Sequence, residues 1–398
     1  MTKRRLLWIG DACVSSGFAR STHKIVDVLR HTFDVAVLGM NYFGDPHPYP
    51  YPIYPCLPAG QMGVNRVKEL IQKLGPSIVV VQQDPWNIQA YLQRVGNVPT
   101  VGIIAVDGKH CQGTELNGLA TAIFWTAFGR DQARLGGYTG SSTVIPLGVD
   151  LEIYHPLDRS MIRERMNLLE VLTDRGLPTD TFIVGTVAKN QPRKRLDLTL
   201  QYFSQWVHTK HIADAGLWLH VAPTQEASYD LEKLGRYYGI ADRIFVPEIH
   251  PTQGITEVSL ARIYAVFDAY LTTTVGEGMD LPVMEAMACG VPCILPDWSA
   301  LGEWAREAAW MVPCTTTAVA PGINTVGGIM DAQGAVEALD MLYRRPDVRE
   351  KFAVKGMQLT AEPAYRWDGI GAQVTEVIEQ VLYANPVGDH AHRSVEMV

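Results

Sequence analysis

The stretch from Thr272 to Leu295, TTTVGEGMDLPVMEAMACGVPCIL, constrains the chain most. AYLTTT (269–274) reads as a short buried strand that turns at Gly276-Glu277-Gly278. Pro282 stands where a first helical turn tolerates proline, because that position has no use for a backbone N–H. The spacing predicts a helix over PVMEAMAC, with Gly290 at its left-handed stop, and another strand at VPCIL. A glycine-bearing loop that delivers the chain onto a helix N-terminus presents free N–H groups, which form an anion site. Two carboxylates bracket it, Glu277 in the loop and Glu285 in the helix. Ionised carboxylates only accept hydrogen bonds, so they suit hydroxyl-rich ligands. Amides for phosphate beside carboxylates for sugar hydroxyls describe a nucleotide-sugar site.

The same kind of unit opens the chain. RLLWIG (5–10) is a buried strand, a loop through Ser15, Ser16 and Gly17 follows, and Phe18, Thr22, Ile25, Val26 and Leu29 fall at helical spacing. Further apolar runs at 33–39, 77–83, 100–106, 181–188, 216–222 and 243–249 alternate with helical patterns, which specifies parallel sheets in an α/β fold. At 398 residues, 47% hydrophobic, the chain exceeds one ordinary core. Two doubly wound, Rossmann-like domains facing a cleft are expected, at 1–155 and 156–365. The segment 45–60, DPHPYPYPIYPCLPAG, is expected to be irregular because its prolines lack ladder donors. By default it is a surface flap; alternatively its tyrosines stack on a planar or sugar-ring acceptor. Residues 314–334 read as a flexible insertion, and the tail from Asn385 to 398 as disordered.

Several classes are disfavoured. No apolar run approaches the ~18 residues that a membrane helix needs, so no integral membrane association is expected. The basic, then apolar, N-terminus reads as a first strand rather than a leader. Six scattered cysteines without a C-x-x-C pair point to a reducing, cytoplasmic compartment and no zinc site. With no D-x-D pair and no His/Cys cluster, the site is expected to work without a metal or bound cofactor. The first loop lacks the G-x-G-x-x-G spacing of a dinucleotide fingerprint. The net charge of −8 is uneven: residues 1–150 hold 13 Lys and Arg against 10 Asp and Glu. That is either compositional scatter or a face for a polyanion.

The string Glu277-Gly278-Met279-Asp280-Leu281-Pro282, with Glu285-Ala286-Met287-Ala288-Cys289-Gly290-Val291-Pro292, resembles the signature of retaining GT-B glycosyltransferases of the family-four type. TVIPLGVDLEIYHP (143–156) resembles the family's domain boundary, where Asp150 reads as a cap or hinge. TFIVGTVAKNQPRKR (181–195) resembles its diphosphate loop. The resemblance implies a nucleoside diphosphate sugar, such as a UDP- or GDP-sugar, as co-substrate. Lys189 stands at the family's arginine position and Lys194 at its lysine position, with Arg193 beside them. Glu277 is implied for the donor sugar, Glu285 for the ribose, Gly278 to Pro282 for the donor loop, Val246 for the nucleobase and Gly17 for the phosphates. Ser15 and Ser16 would face the acceptor. A family histidine near the donor sugar is replaced by Asp107 or by His110. Asp280 departs from a family glycine, and a helix N-cap is its plain reading. The helix at 366–384 is similar to one that crosses back onto the first domain.

LLWIGDACVSSGFARSTHKI and VAKNQPRKR look most like a virus-encoded branch of these transferases, some of which glycosylate hydroxymethylated pyrimidines in DNA. Lys3, Arg4, Arg5, Arg20, Lys24 and Lys109 are the cations that such an acceptor would use. A saccharide or lipid-linked acceptor is the alternative, and a non-catalytic sugar-nucleotide-binding module is a second one.

Overall fold

The computed structural model describes residues 3–57, 60, 62–222, 228–247, 254–320 and 322–385. The N-terminal strands are β1 (Arg5–Asp11), β2 (Asp34–Met40), β3 (Ile53–Pro55), β4 (Ile78–Gln83), β5 (Thr100–Ile104), β6 (Thr121–Phe124) and β7 (Ser142–Val144). They form one sheet in the order β3-β2-β1-β4-β5-β6-β7, and every neighbouring pair is parallel. The second sheet holds β8 (Phe182–Lys189), β9 (Ala215–Ala222), β10 (Ile244–Phe245), β11 (Ala269–Leu271), β12 (Cys293–Asp297), β13 (Trp310–Val319) and β14 (Val326–Met330). Its order is β10-β9-β8-β11-β12-β13-β14, parallel throughout except for the antiparallel last pair.

Helices cover both faces of such sheets, so their strands are continuous apolar runs rather than alternating ones. β4 is buried along its whole length and β1 from Leu6 to Gly10. The strand order reverses at β1/β4 in the first sheet and at β8/β11 in the second. Loops at the C-terminal ends of these strands open the two crevices in which doubly wound sheets bind ligands.

The last helix, Trp367–Ala384, buries Ile370, Val374, Ile378 and Val381. It lies against the Gly17–Leu29 helix of the first sheet, so closely that a Cβ on Gly371 would stand 2.5 Å from Val28. Helix Arg159–Arg165 is tied to the second sheet through Arg163, whose guanidinium meets the buried Asp268 at 2.7 Å. Apolar packing continues from one sheet to the other through Trp125, Met279 and Leu281.

Three sequence expectations are corrected. The 45–60 segment is not wholly irregular: Ile53–Pro55 adds parallel to β2 at the sheet edge, the position that tolerates proline. Its tyrosines turn inward. Tyr51 is buried and bonded to His23 Nδ1 at 2.7 Å, and Tyr49 lies flat on the His23 ring at 3.4 Å. Residues 314–334 are not a loose insertion, because they carry most of the β13–β14 hairpin. The 243–249 and 269–274 runs shorten to Ile244–Phe245 and Ala269–Leu271; Glu248 and Ile249 lie outside the described residues. So does the tail beyond Asn385. Among the described residues no helix is long and apolar enough to cross a membrane.

Candidate active site

The second sheet's crevice is built from the loops after β8 and β11. After β8, Gln191 leads into a single turn, Pro192–Lys194, and Arg195 takes a left-handed conformation (φ 47°) before helix Leu196–Thr209. After β11, Thr273 and Val275 pin the two loops together. Thr273 Oγ1 donates to the Arg195 carbonyl at 2.8 Å and lies 2.7 Å from Thr199 Oγ1. Val275 N–H donates to the Arg193 carbonyl at 3.0 Å, and Arg193 Nη1 donates to the Gly276 carbonyl at 2.7 Å.

This cross-bonding holds a carboxylate among cations. Glu277 is buried and takes Arg193 Nη1 at 2.7 Å, the Lys194 ammonium, and Thr274 Oγ1 at 2.7 Å. Its own N–H donates to Ser299 Oγ at 3.0 Å. Burial alone would raise its carboxyl; Arg193 and Lys194 outweigh burial and hold it at about 2. Lys189, half-buried at the end of β8, makes no ion pair among the described residues. So the three expected cations do not act alike at rest: two are neutralised by Glu277 and one is open.

The first sheet supplies the opposite wall. Asp107, just past β5, meets Arg193 Nε at 3.2 Å. His110 goes elsewhere: it is exposed, left-handed (φ 62°), and its Nδ1 lies 3.0 Å from the Asn324 carbonyl on the β13–β14 hairpin. Of the two candidates, the structure brings Asp107 to the cluster and not His110. The same hairpin ties the sheets together. Lys109 and Val326 exchange two backbone hydrogen bonds of 2.9 Å each, and Gln112 reaches the Ile323 carbonyl at 3.0 Å.

Two helix N-termini converge on the crevice. Gly17 starts the first helix, and a Cβ there would lie 3.5 Å from Leu281, which starts helix Leu281–Ala288. Both positive dipole ends therefore face one space. Ser16 is the first helix's N-cap, accepting from Ala19 N–H at 3.0 Å and donating to Asp11 at 2.7 Å. Ser15 is exposed and abuts Gly254 of the second domain. Gly278 packs on Trp125, and Trp304 Nε1 donates to the buried Met279 carbonyl at 2.9 Å. Pro282 is half-buried in the first helical turn, and Val246 follows β10 exposed.

Two assignments change. Asp280 sits at the N-cap position, yet its side chain caps nothing; it is left-handed (φ 72°) and buried. The glycine-like backbone explains why a family glycine would fit there. Glu285, also buried, is not open: it pairs with Arg20 of the first domain and accepts from Tyr264 Oη at 2.8 Å, while Arg20 Nε also meets Glu257 at 3.0 Å. Sequence reasoning missed Arg20 as its partner, along with Tyr264, Thr274 and Ser299. Only the TTT run at a strand end gave a signal. Asp150 is structural as expected, bonded to Lys24 Nζ at 2.6 Å and to Glu152 N–H at 3.1 Å.

Residues 179–326 match the family model described as glycosyl transferases group 1. A D-inositol 3-phosphate glycosyltransferase of Geodermatophilus obscurus is 32% identical over 157 residues, 38% of this chain and 32% of that protein. The matched stretch thus spans about a third of the curated relative's length. Among solved structures, sucrose-phosphate synthase from Thermosynechococcus elongatus superposes with a TM-score of 0.76 at 17% identity, covering 96% of this chain and all of the other. Anabaena HepE, in complex with UDP and glucose, gives 0.70 at 15% identity, covering 95% of this chain and all of the other. The two-sheet α/β architecture is therefore the GT-B fold.

Proposed function

We propose that this chain is a retaining glycosyltransferase that moves a sugar from a nucleoside diphosphate sugar to a hydroxyl acceptor. One observation carries the reading. At the second sheet's switch point, the cationic loop 190–195 and the Glu277 loop are bonded together in front of a helix N-terminus, facing the first sheet. The group 1 match covers this stretch, which supports a nucleotide-sugar site.

As the glycosidic bond breaks, negative charge develops on the departing diphosphate. Lys194, Arg193, Lys189 and the positive end of the helix that starts at Leu281 would take it. Donor phosphates would compete with Glu277 for Arg193 and Lys194, which releases the Glu277 carboxylate toward the sugar hydroxyls. Glu285 would exchange Arg20 for ribose hydroxyls. Asp107, fixed by Arg193, faces the acceptor side. The acceptor hydroxyl attacks from the face that the diphosphate leaves, and its proton passes to the departing oxygen, so configuration is retained. The fixed cations take the place of a divalent ion.

Five of the six cations offered for a DNA acceptor are already committed, all but the exposed Arg4: Lys3 to the Arg30 carbonyl, Arg5 to Asp34, Arg20 to Glu257 and Glu285, Lys24 to Asp150, and Lys109 over the Trp298 ring. We therefore place a saccharide, lipid-linked or other small hydroxyl acceptor ahead of DNA. The test is nucleotide release from a panel of UDP- and GDP-sugars, with and without acceptors and EDTA. Release that survives EDTA supports the reading. Nucleotide binding without turnover would make the chain a non-catalytic module.

A further inference from the structure

We propose that Asp280 is a specificity-determining residue whose open carboxyl hydrogen-bonds a hydroxyl of the transferred sugar; the inference rests on the donor site proposed above. Three observations converge on it. The other acids of the crevice have partners: Glu277 holds Arg193, Lys194 and Thr274, Asp107 holds Arg193, and Glu285 holds Arg20 and Tyr264. Asp280 alone of these four makes no side-chain hydrogen bond or ion pair among the described residues, although it occupies a capping position and is buried. A buried carboxyl without a partner is costly, and a ligand hydroxyl is the group that would complete it.

The second observation is backbone geometry. At φ 72° and ψ 77° the position is one that glycine fills without strain and that aspartate tolerates. The side chain is thus not needed to shape the loop, and adding it places a carboxyl in a crevice that glycine would leave empty.

The third is electrostatic. Burial, and then the Glu277 charge, push the Asp280 carboxyl up to about 7, against the opposing pull of Lys194 and Arg193; Asp107 adds to the rise. The other titratable groups facing it are Tyr270 and Cys293. Burial raises both well above their ordinary values, so at neutral pH they add no charge. Near pH 7 the Asp280 carboxyl is therefore divided between a protonated form, which donates and accepts, and an ionised form, which only accepts. A sugar hydroxyl beside it meets two different partners across the neutral range.

Two variants test this. Asp280→Gly suits the left-handed backbone, and Asp280→Asn keeps the shape without a titrating group. Calorimetry would compare UDP with UDP-glucose, and GDP with GDP-mannose, at pH 6 and pH 8. Each affinity is taken as wild type over variant, so that the ligand's own titration cancels. We expect Asp280→Gly to weaken the sugar nucleotide about three- to tenfold, the scale of one hydrogen bond, and to leave the bare diphosphate as tight or tighter. The wild-type over Asp280→Asn ratio for the sugar nucleotide should change between the two pH values. Equal ratios for sugar nucleotide and diphosphate at both pH values, with wild-type binding intact, would overturn the Asp280 assignment alone. Absence of binding for both pairs in the wild type would overturn the donor site, and this inference with it.

Discussion

Arg193 and Asp107 come from different sheets and meet at 3.2 Å across the crevice. The same guanidinium holds Glu277 at 2.7 Å, so one side chain links the Glu277 loop to the opposite wall. The two walls of the cleft are therefore held together here by opposite charges, which a diphosphate would displace if the proposed donor site is the right one.

Lys194→Ala should cut turnover far more than it harms folding. Glu277 keeps Arg193 and Thr274, so the loop retains its anchors. The departing diphosphate loses a charge-assisted contact of about 1.5–3 kcal/mol, roughly tenfold to over a hundredfold in rate. Steady-state kinetics beside a urea melt would separate the two effects. Turnover within twofold of the parent would remove Lys194 from the site.

Arg20→Ala should destabilise the fold itself. Glu285 is 2% exposed and would keep only the Tyr264 hydroxyl. Leaving a buried carboxylate without its cation costs roughly 3 kcal/mol. A lower urea midpoint with an unchanged slope is the expected signature, and Arg20→Lys should recover part of it. An unchanged midpoint would mean that the pair contributes nothing at rest.

The fold was legible because parallel strands are covered on both faces, which leaves uninterrupted apolar runs such as RLLWIG and TFIVGTVA. β3 and the β13–β14 hairpin were not, since proline breaks the first and the second is half solvated and threonine-rich. In the site, the residue types at Glu277, Lys194 and Arg193 were readable, but their pairing was not. Lys194 and Glu277 are 83 residues apart, and only the β8/β11 adjacency brings their loops together. Arg20 and Glu285 belong to different domains, so no local pattern marks them. Asp280 was readable as a cap by position; its left-handed backbone turns the carboxyl away from that role.

Gly276→Ala should prevent the crevice from closing. A Cβ at this position would stand 2.0 Å from the Asp107 carbonyl oxygen, a backbone atom that has no rotamer to escape into. The walls would have to separate by on the order of an ångström, and catalytic geometry lost by that much costs about a hundredfold. Hydrogen exchange at the Lys109 and Val326 amides, which bond across the sheets, should quicken in the variant. Normal exchange and normal turnover together would show that this contact does not set closure.

Salt dependence should identify the acceptor. A protein that neutralises several DNA phosphates releases counterions, and its affinity falls by orders of magnitude between ~50 and ~200 mM salt. Here Lys24 is 2.6 Å from Asp150, Arg5 is 2.6 Å from Asp34, and Lys109 lies 4.3 Å over the Trp298 ring. Each would have to give up its present partner to reach a phosphate. Transfer to a saccharide or small hydroxyl acceptor should change less than about threefold over the same range, because no polyanion is held. Radiolabelled UDP- and GDP-sugars offered with hydroxymethylated DNA should leave the DNA unlabelled. Label in the DNA, lost steeply as salt rises, would reverse that assignment and place a duplex over the first sheet's loops.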